Sequence, residues 1–281
     1  MFVKEKTLIQ AFEKREAAMK PKPGHLGLKY AEQFRDTSIA DVYHCRPPYA
    51  DETIARLLGL VVDEPGTILD VGCGTGDLAR RLAPEVKRVD AVDFSQAMLQ
   101  RGQTLPGGAH PHLHWILGRV EEVELQPPYA LITAGESLHW MEWEIVFPLF
   151  QRLLTPRGSL ALVERGTGLN LWDNALGQLI QHYSTNREYR PYNLIEELEQ
   201  RSLFQSQGSI RTQPVPFTQS GEEYLQSIHS RNGFSRERMG EQAANAFDED
   251  ARKVLSPFLQ AGLLTLSTFD TLTWGTCRSQ A

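Results

Sequence analysis

TILDVGCGTGDLARRLAPEV, Thr67 to Val86, decides how this chain is read. Thr67 to Gly72 is a short apolar run bounded by Pro65-Gly66 on one side and a glycine-rich turn on the other, the pattern of a buried strand. Leu and Ala then recur at helical spacing from Asp77 to Val86, so the segment predicts strand, tight turn and helix. In the turn, Gly72, Gly74 and Gly76 alternate, which lets the backbone turn sharply and lie against a ligand without Cβ clashes. Asp77 stands where the dinucleotide fingerprint GxGxxG wants its third glycine. The pattern is therefore GxGxG and not the dinucleotide form.

Working outward, RVDAVDF predicts a second strand, and SQAMLQRGQ predicts its helix, opened by an N-cap at Ser95. A third strand is expected at Leu113 to Leu117, a fourth at YALITAG, a helix from Trp143 to Leu154, and a fifth strand at SLALVERG. Strands separated by helices of this length imply right-handed crossovers and a mostly parallel sheet covered on both faces. In such a sheet the ligand sits at the carboxyl ends of the strands, where strand order reverses. Asp93 ends the second strand about 20 residues beyond the glycines, where a carboxylate can accept hydrogen bonds from the two ribose hydroxyls of an adenosine. Phe94 and Met98 follow and would wall an adenine ring.

Four segments are expected. They are a helical lid at 1–50, a nucleotide-binding core at 51–166, a cap insert at 167–260, and a final strand at 261–281 returning to the core sheet. The first segment carries Phe2, Leu8, Phe12 and Met19 on one helical face, suited to a lid or to plain packing. Its Lys and Glu residues interrupt any apolar run, so it does not read as a signal peptide. No stretch reaches the roughly 18 to 20 apolar residues of a membrane span. The chain has 281 residues and a formal net charge of -6, without a basic stripe, which argues against nucleic acid as a partner. Cys45, Cys73 and Cys277 are widely spaced and odd in number, which argues against a disulfide framework or zinc site and for a reducing cytoplasm. Cys73, inside the glycine turn, reads as a small filler rather than a nucleophile, and Trp115 reads as core.

ILDVGCGTGDLARRLA, VDFSQAML, GRVEEV and AGESLHWM, in this order and at these spacings, resemble the class I S-adenosylmethionine-dependent methyltransferases. FRDTSIADVYHCRPPY upstream is similar to the N-terminal pattern of the trans-aconitate methyltransferase-like, small-molecule branch, as is the SLHW motif. The resemblance spans about residues 30 to 166. It implies an α/β, doubly wound Rossmann-like methyltransferase sheet, mostly parallel with an antiparallel edge strand, plus a helical cap insert. S-adenosyl-L-methionine is the implied cofactor and S-adenosyl-L-homocysteine the product. On that resemblance Gly72, Gly74 and Gly76 lie under the methionine part, and Asp70 helps hold its ammonium through water. Asp93 binds the ribose, Val120 and Glu121 lie beside the adenine, and Ala134 offers its carbonyl to the ammonium. Arg46, with Tyr43, is the candidate for the cofactor's carboxylate. Relatives often carry GDAE or GSAE at the third strand, and here Arg119 cannot accept from the adenine amino group. That contact falls to Glu121, a backbone carbonyl or water.

His139 in ESLHWMEW is the candidate for acceptor contact or proton removal, the latter needed only for an acceptor whose proton is weakly acidic. Trp140, Tyr183 and Tyr189 are candidates for lining the acceptor pocket, with packing as the competing role. His110, His112 and His114 alternate as HxHxH, yet without a carboxylate or cysteine nearby in sequence they do not read as a metal site. The expected activity is methylation of O, N or C on a small organic acceptor by a monomer or homodimer. The alternatives are a non-catalytic S-adenosylmethionine-binding module and a nucleotide-dependent oxidoreductase.

Overall fold

The computed structural model describes residues 22–278. The helix expected around Phe2 to Met19 lies outside them. Among the described residues eight strands form one sheet: β1 (Thr67–Val71), β2 (Arg88–Asp93), β3 (Leu113–Leu117), β4 (Tyr129–Gly135), β5 (Leu154–Thr167), β6 (Phe204–Arg211), β7 (Val215–Ser220) and β8 (Leu263–Cys277). The strand order is β3-β2-β1-β4-β5-β8-β6, with β7 also paired to β8. The pairs from β3 through to β5 are parallel, and all three pairs made by β8 are antiparallel. The chain winds outward from β1 to β3 and then returns to the other side of β1 as β4. The switch point therefore lies between β1 and β4, at the glycine turn.

Alternate residues of β1 face opposite layers, as a strand requires. Leu69 and Val71 join Ile132, Phe147 and Phe150 on the face covered by α6 (Trp143–Leu153). Ile68 joins Leu131, Ala161 and Val163 on the other face, against Leu57 and Leu82. These two leucines come from α3 (Asp51–Gly59) and α4 (Ala79–Leu82), which follow the short α1 (Leu28–Ala31) and α2 (Thr37–Val42). Ser95 caps α5 (Gln96–Thr104) as expected, its Oγ accepting from the Met98 N–H at 3.3 Å.

The region after β5 holds α7 (Asp173–Tyr183), α8 (Leu194–Gln200), α9 (Gly221–His229), α10 (Arg236–Met239) and α11 (Glu241–Leu255). A separate core of Leu176, Leu225, Ile228 and Phe247 packs α7, α9 and α11 onto Leu264 and Leu266 of β8, whereas Leu194 and Leu198 of α8 join the first core. Here the fold departs from the expected plan in one respect: β8 is flanked on its outer side by β6 and β7, which come from the insert. β6 escapes a reading of hydrophobic alternation because most of FQSQGSIR faces solvent and only Phe204 is fully buried. Its partner supplies the pattern, since β8 alternates exposed and buried over most of its length.

Candidate functional site

The turn after β1 is left-handed at Gly72 (φ +62°) and Gly76 (φ +76°), and each glycine is also demanded by a neighbour. A Cβ on Gly72 would stand 2.5 Å from the Ser137 Cβ, and one on Gly76 would stand 2.4 Å from the Trp115 ring. Gly72 and Gly74 line a cavity of about 880 Å³, whereas Gly76 is turned toward Trp115. Trp115, only half-buried, backs the turn and donates its Nε1–H to the Gly108 carbonyl at 2.8 Å.

Asp93 sits at the mouth of this cavity with both carboxylate oxygens in use. Oδ2 accepts from the Gly74 N–H at 2.8 Å and Oδ1 accepts from the Ser95 N–H at 2.8 Å. Burial pushes its carboxyl up to about 6 against the pull of these backbone donors. Phe94, Met98, Val120 and Glu121 line the same cavity, and the Arg35 guanidinium covers the Phe94 ring at 5.2 Å. Glu121 is held by the Glu142 N–H at 3.1 Å and lies 3.6 Å from Arg119.

Asp70 lies behind the turn, lining a small adjoining pocket with Asp77, Tyr49 and Arg165. It accepts from the Thr133 hydroxyl at 2.8 Å, and burial raises its carboxyl to about 7. Burial likewise lifts the Cys73 thiol well above its usual value, which leaves it unsuited to nucleophilic attack.

A second, larger cavity of about 2500 Å³ adjoins the first, and Glu136, Ser137 and Trp140 line both. Glu136 follows β4 with φ +52°, a conformation uncommon for a residue with a side chain. Its carboxylate lies 3.5 Å from Arg46 and 3.6 Å from Arg165. Burial opposes its ionisation, but these two cations prevail and hold it below the usual carboxylate range. His139 lines the second cavity and makes no hydrogen bond to another described residue. Burial holds its imidazole down at about 4 despite Glu136, so it is neutral at neutral pH.

A methyltransferase-domain family model matches residues 68–158, the segment that contains β1 to β4, the glycine turn and Asp93. An uncharacterised methyltransferase of Schizosaccharomyces pombe is 27% identical over 205 residues, covering 71% of this chain and 77% of that one. Residues 68–158 carry a methyltransferase domain. A malonyl-[acyl-carrier protein] O-methyltransferase of Halalkalibacterium halodurans is 35% identical over 86 residues, 28% of this chain and 31% of that enzyme. Among solved structures, a protein proposed to be a type II methyltransferase from Anaeromyxobacter dehalogenans shares the fold with a TM-score of 0.60. It is 22% identical, over 84% of this chain and 99% of its own.

Several expected site residues occupy other positions in the structure. Tyr183 does not line the second cavity: its hydroxyl donates to Asp250 at 2.8 Å and its ring packs on Phe247, because it closes a helix whose inner face belongs to the cap core. Ala134 lies on the wall of the second cavity, and Gly135 takes its place on the first. Arg46 and Tyr43 do line the first cavity, but Arg46 donates chiefly to the cap, from Nε to the Ser230 Oγ at 2.8 Å and from Nη2 to its carbonyl at 2.6 Å. Tyr189 lines the second cavity, edge-on to His25 at 5.4 Å.

Glu136 and Arg165 were not singled out by sequence reasoning. Their only signal is charge at the carboxyl end of an apolar strand. His110 and His112 stack edge-to-face at 5.0 Å, His114 lies 3.4 Å from Asp90, and no group of three metal-ligating side chains is found among the described residues. No helix of the described residues is long and apolar enough to cross a membrane.

Proposed function

We propose that the first cavity takes S-adenosylmethionine, the second takes a small organic acceptor, and the methyl passes at their shared wall beside His139. One observation carries the reading: the cavity that opens at Gly72, Gly74 and Asp93 shares Glu136, Ser137 and Trp140 with a larger one. The residues fit the cofactor by a donor count. A carboxylate has about four acceptor sites, and the two backbone donors leave Asp93 two for ribose hydroxyls. Val120 and Met98, buried and apolar, suit the adenine, with the free oxygen of Glu121 near its amino group. A neutral acid at Asp70 would sit poorly against an ammonium, so bound cofactor should lower its proton affinity.

Bound S-adenosylmethionine supplies a methyl on a positively charged sulfur. An acceptor lone pair would take that methyl, the carbon–sulfur electrons would stay on sulfur, and any surplus proton would pass to solvent. The protein's part is to align the acceptor and exclude water. Neutral His139 can accept a hydrogen bond from an acceptor hydroxyl or amine. With a conjugate acid near 4 it is a weak base, so orientation is its stronger role. We assign the chain to the trans-aconitate methyltransferase-like branch on the SLHW motif and on Tyr43 and Arg46. The test is calorimetric titration with S-adenosylhomocysteine and with NAD, followed by labelled-methyl transfer over a small-molecule panel and mass spectrometry of the product. Tighter binding of NAD, or no methylated product, would sink the reading.

A further inference from the structure

His229 closes α9 from a buried position, only 1% exposed, and both of its ring nitrogens are engaged. Nδ1 lies 2.9 Å from the Phe234 carbonyl, and Nε2 lies 2.7 Å from the Asp248 Oδ1 on α11. A carbonyl only accepts, so Nδ1 carries a hydrogen. Asp248 is ionised: burial opposes this, but His229 and Arg236 prevail and hold it below the usual carboxylate range. A carboxylate also only accepts, so Nε2 carries a hydrogen too, for otherwise two lone pairs would meet at 2.7 Å. The ring therefore has the bonding pattern of an imidazolium.

The charges around it support that pattern. Arg236 of α10 donates to the other Asp248 oxygen at 2.7 Å and to Asn245 at 2.7 Å. Its Nη1 also lies 3.1 Å from Nε2, placed to donate there once the ring proton has gone. Arg252 of α11 is taken by Glu222 of α9 at 2.6 Å. Asp36, at the head of α2, takes the Ser235 hydroxyl at 2.6 Å and Arg238 at 2.8 Å, and Glu237 accepts from the Ser38 N–H at 2.9 Å. Asp41 and His44, on the segment packed against α9, are exposed and make no bond to His229. The Phe247 ring stands edge-on to the imidazole at 5.6 Å.

One ring thus ties the loop from Ser230 to Ser235 to α11, and both cavities use that loop. Ser230 receives the two bonds of Arg46 at the rim of the first cavity, and Asn232 and Phe234 line the second. A neutral imidazole has a single N–H and cannot supply both bonds. Whichever bond it gives up, a lone pair then faces an oxygen at 2.9 Å or less, and the loop loses its tie.

We infer that His229 is a protonation-dependent positioning residue: as an imidazolium it clips the Ser230–Ser235 loop to α11 and seats Arg46, and release of one ring proton to solvent frees the loop and weakens cofactor binding. The inference rests on the first cavity being the cofactor site.

The test follows the full chain between about pH 5 and 9, the range in which histidine charge changes. Nitrogen NMR of the histidine-labelled protein reads the ring, and calorimetry reads the Kd for S-adenosylhomocysteine. The imidazolium signal of His229 should vanish in one step as pH rises. The Kd should rise at the same pH by up to about tenfold, the worth of one charged hydrogen bond. In Asp248→Asn, which keeps the shape and removes the charge, both steps should move together to lower pH. In His229→Gln that step should be gone, leaving those of other groups, whereas a merely structural role would weaken binding alike at every pH. The wild-type and Asp248→Asn titrations decide the matter even where His229→Gln does not fold. A ring neutral throughout, one that keeps its proton to the end of the range, or one that loses it with less than about a twofold change in Kd overturns the inference. Failure of the wild-type protein to bind S-adenosylhomocysteine at any pH would instead overturn the proposed function on which it rests.

Discussion

Arg46 grips Ser230 at two points, its carbonyl at 2.6 Å and its Oγ at 2.8 Å, across 184 residues of sequence. The segment before β1 and the cap are thus joined by one guanidinium on the rim of the first cavity, whose Nη1 also reaches the Tyr43 hydroxyl at 3.2 Å. This clamp ties the rim of the first cavity to the cap.

Arg46→Ala should therefore raise KM for the cofactor and for the acceptor, each by roughly tenfold, about the worth of one charged hydrogen bond. Arg46→Lys should recover little, because an ammonium cannot make the two-point contact. Initial rates with each substrate varied in turn decide the matter: an effect on cofactor KM alone would return Arg46 to a simple carboxylate contact.

Asp93 is the residue whose loss should harm cofactor binding most. Asp93→Ala removes the acceptor for the Gly74 and Ser95 N–H groups and the proposed ribose contact together. We expect the Kd for S-adenosylhomocysteine to rise on the order of 100-fold, two charged hydrogen bonds at about 1.5 kcal/mol each. Calorimetry that finds less than a threefold change would remove Asp93 from the site.

Gly76 tests packing rather than binding. Gly76→Ala combines a left-handed backbone with a Cβ driven into Trp115, and should destabilise the protein by about 1–3 kcal/mol. Urea unfolding should show the loss, and Trp115→Leu in the same chain should recover part of it, since the two residues contact each other.

Two pH effects follow from burial. Asp70 and Asp93 have carboxyls raised from 3.8 to about 7 and about 6, so the folded protein holds protons there that the unfolded chain has released. Their contribution is greatest below 3.8 and is lost as pH rises through 6 and 7. Asp70→Asn should flatten the dependence of Tm on pH between about 4 and 7 in the ligand-free protein. His139 should stay neutral through its ordinary 6.5, so kcat/KM for the acceptor at saturating cofactor should carry no His139 step there. A step near 6.5 that disappears in His139→Ala would contradict this.

The two tyrosines first grouped together should separate. Tyr183→Phe removes a hydroxyl bonded to Asp250 and should leave turnover unchanged, whereas Tyr189→Ala should raise acceptor KM severalfold. Steady-state kinetics of the two variants on one acceptor makes the comparison.

Sequence alone determined what short-range chemistry controls. Periodicity and glycine placement located β1 to β5, and the Ser95 cap was legible because cap and helix are neighbours in the chain. Asp93 could be read because its partner Gly74 is 19 residues away within one strand–helix–strand unit. Tertiary structure alone decided which side of each element a residue faces and what meets it there. β6 needed the alternation of β8 to become a strand, Gly76 needed Trp115 to explain it, and Arg46 needed a serine from the far side of the cap. Tyr183 and Tyr189 carry the same ring. One became packing and the other cavity wall because the cap core turned the first inward and the second toward His25. Local propensity is written in adjacent residues, but pairing of charges and surfaces is settled only when distant segments close on one another.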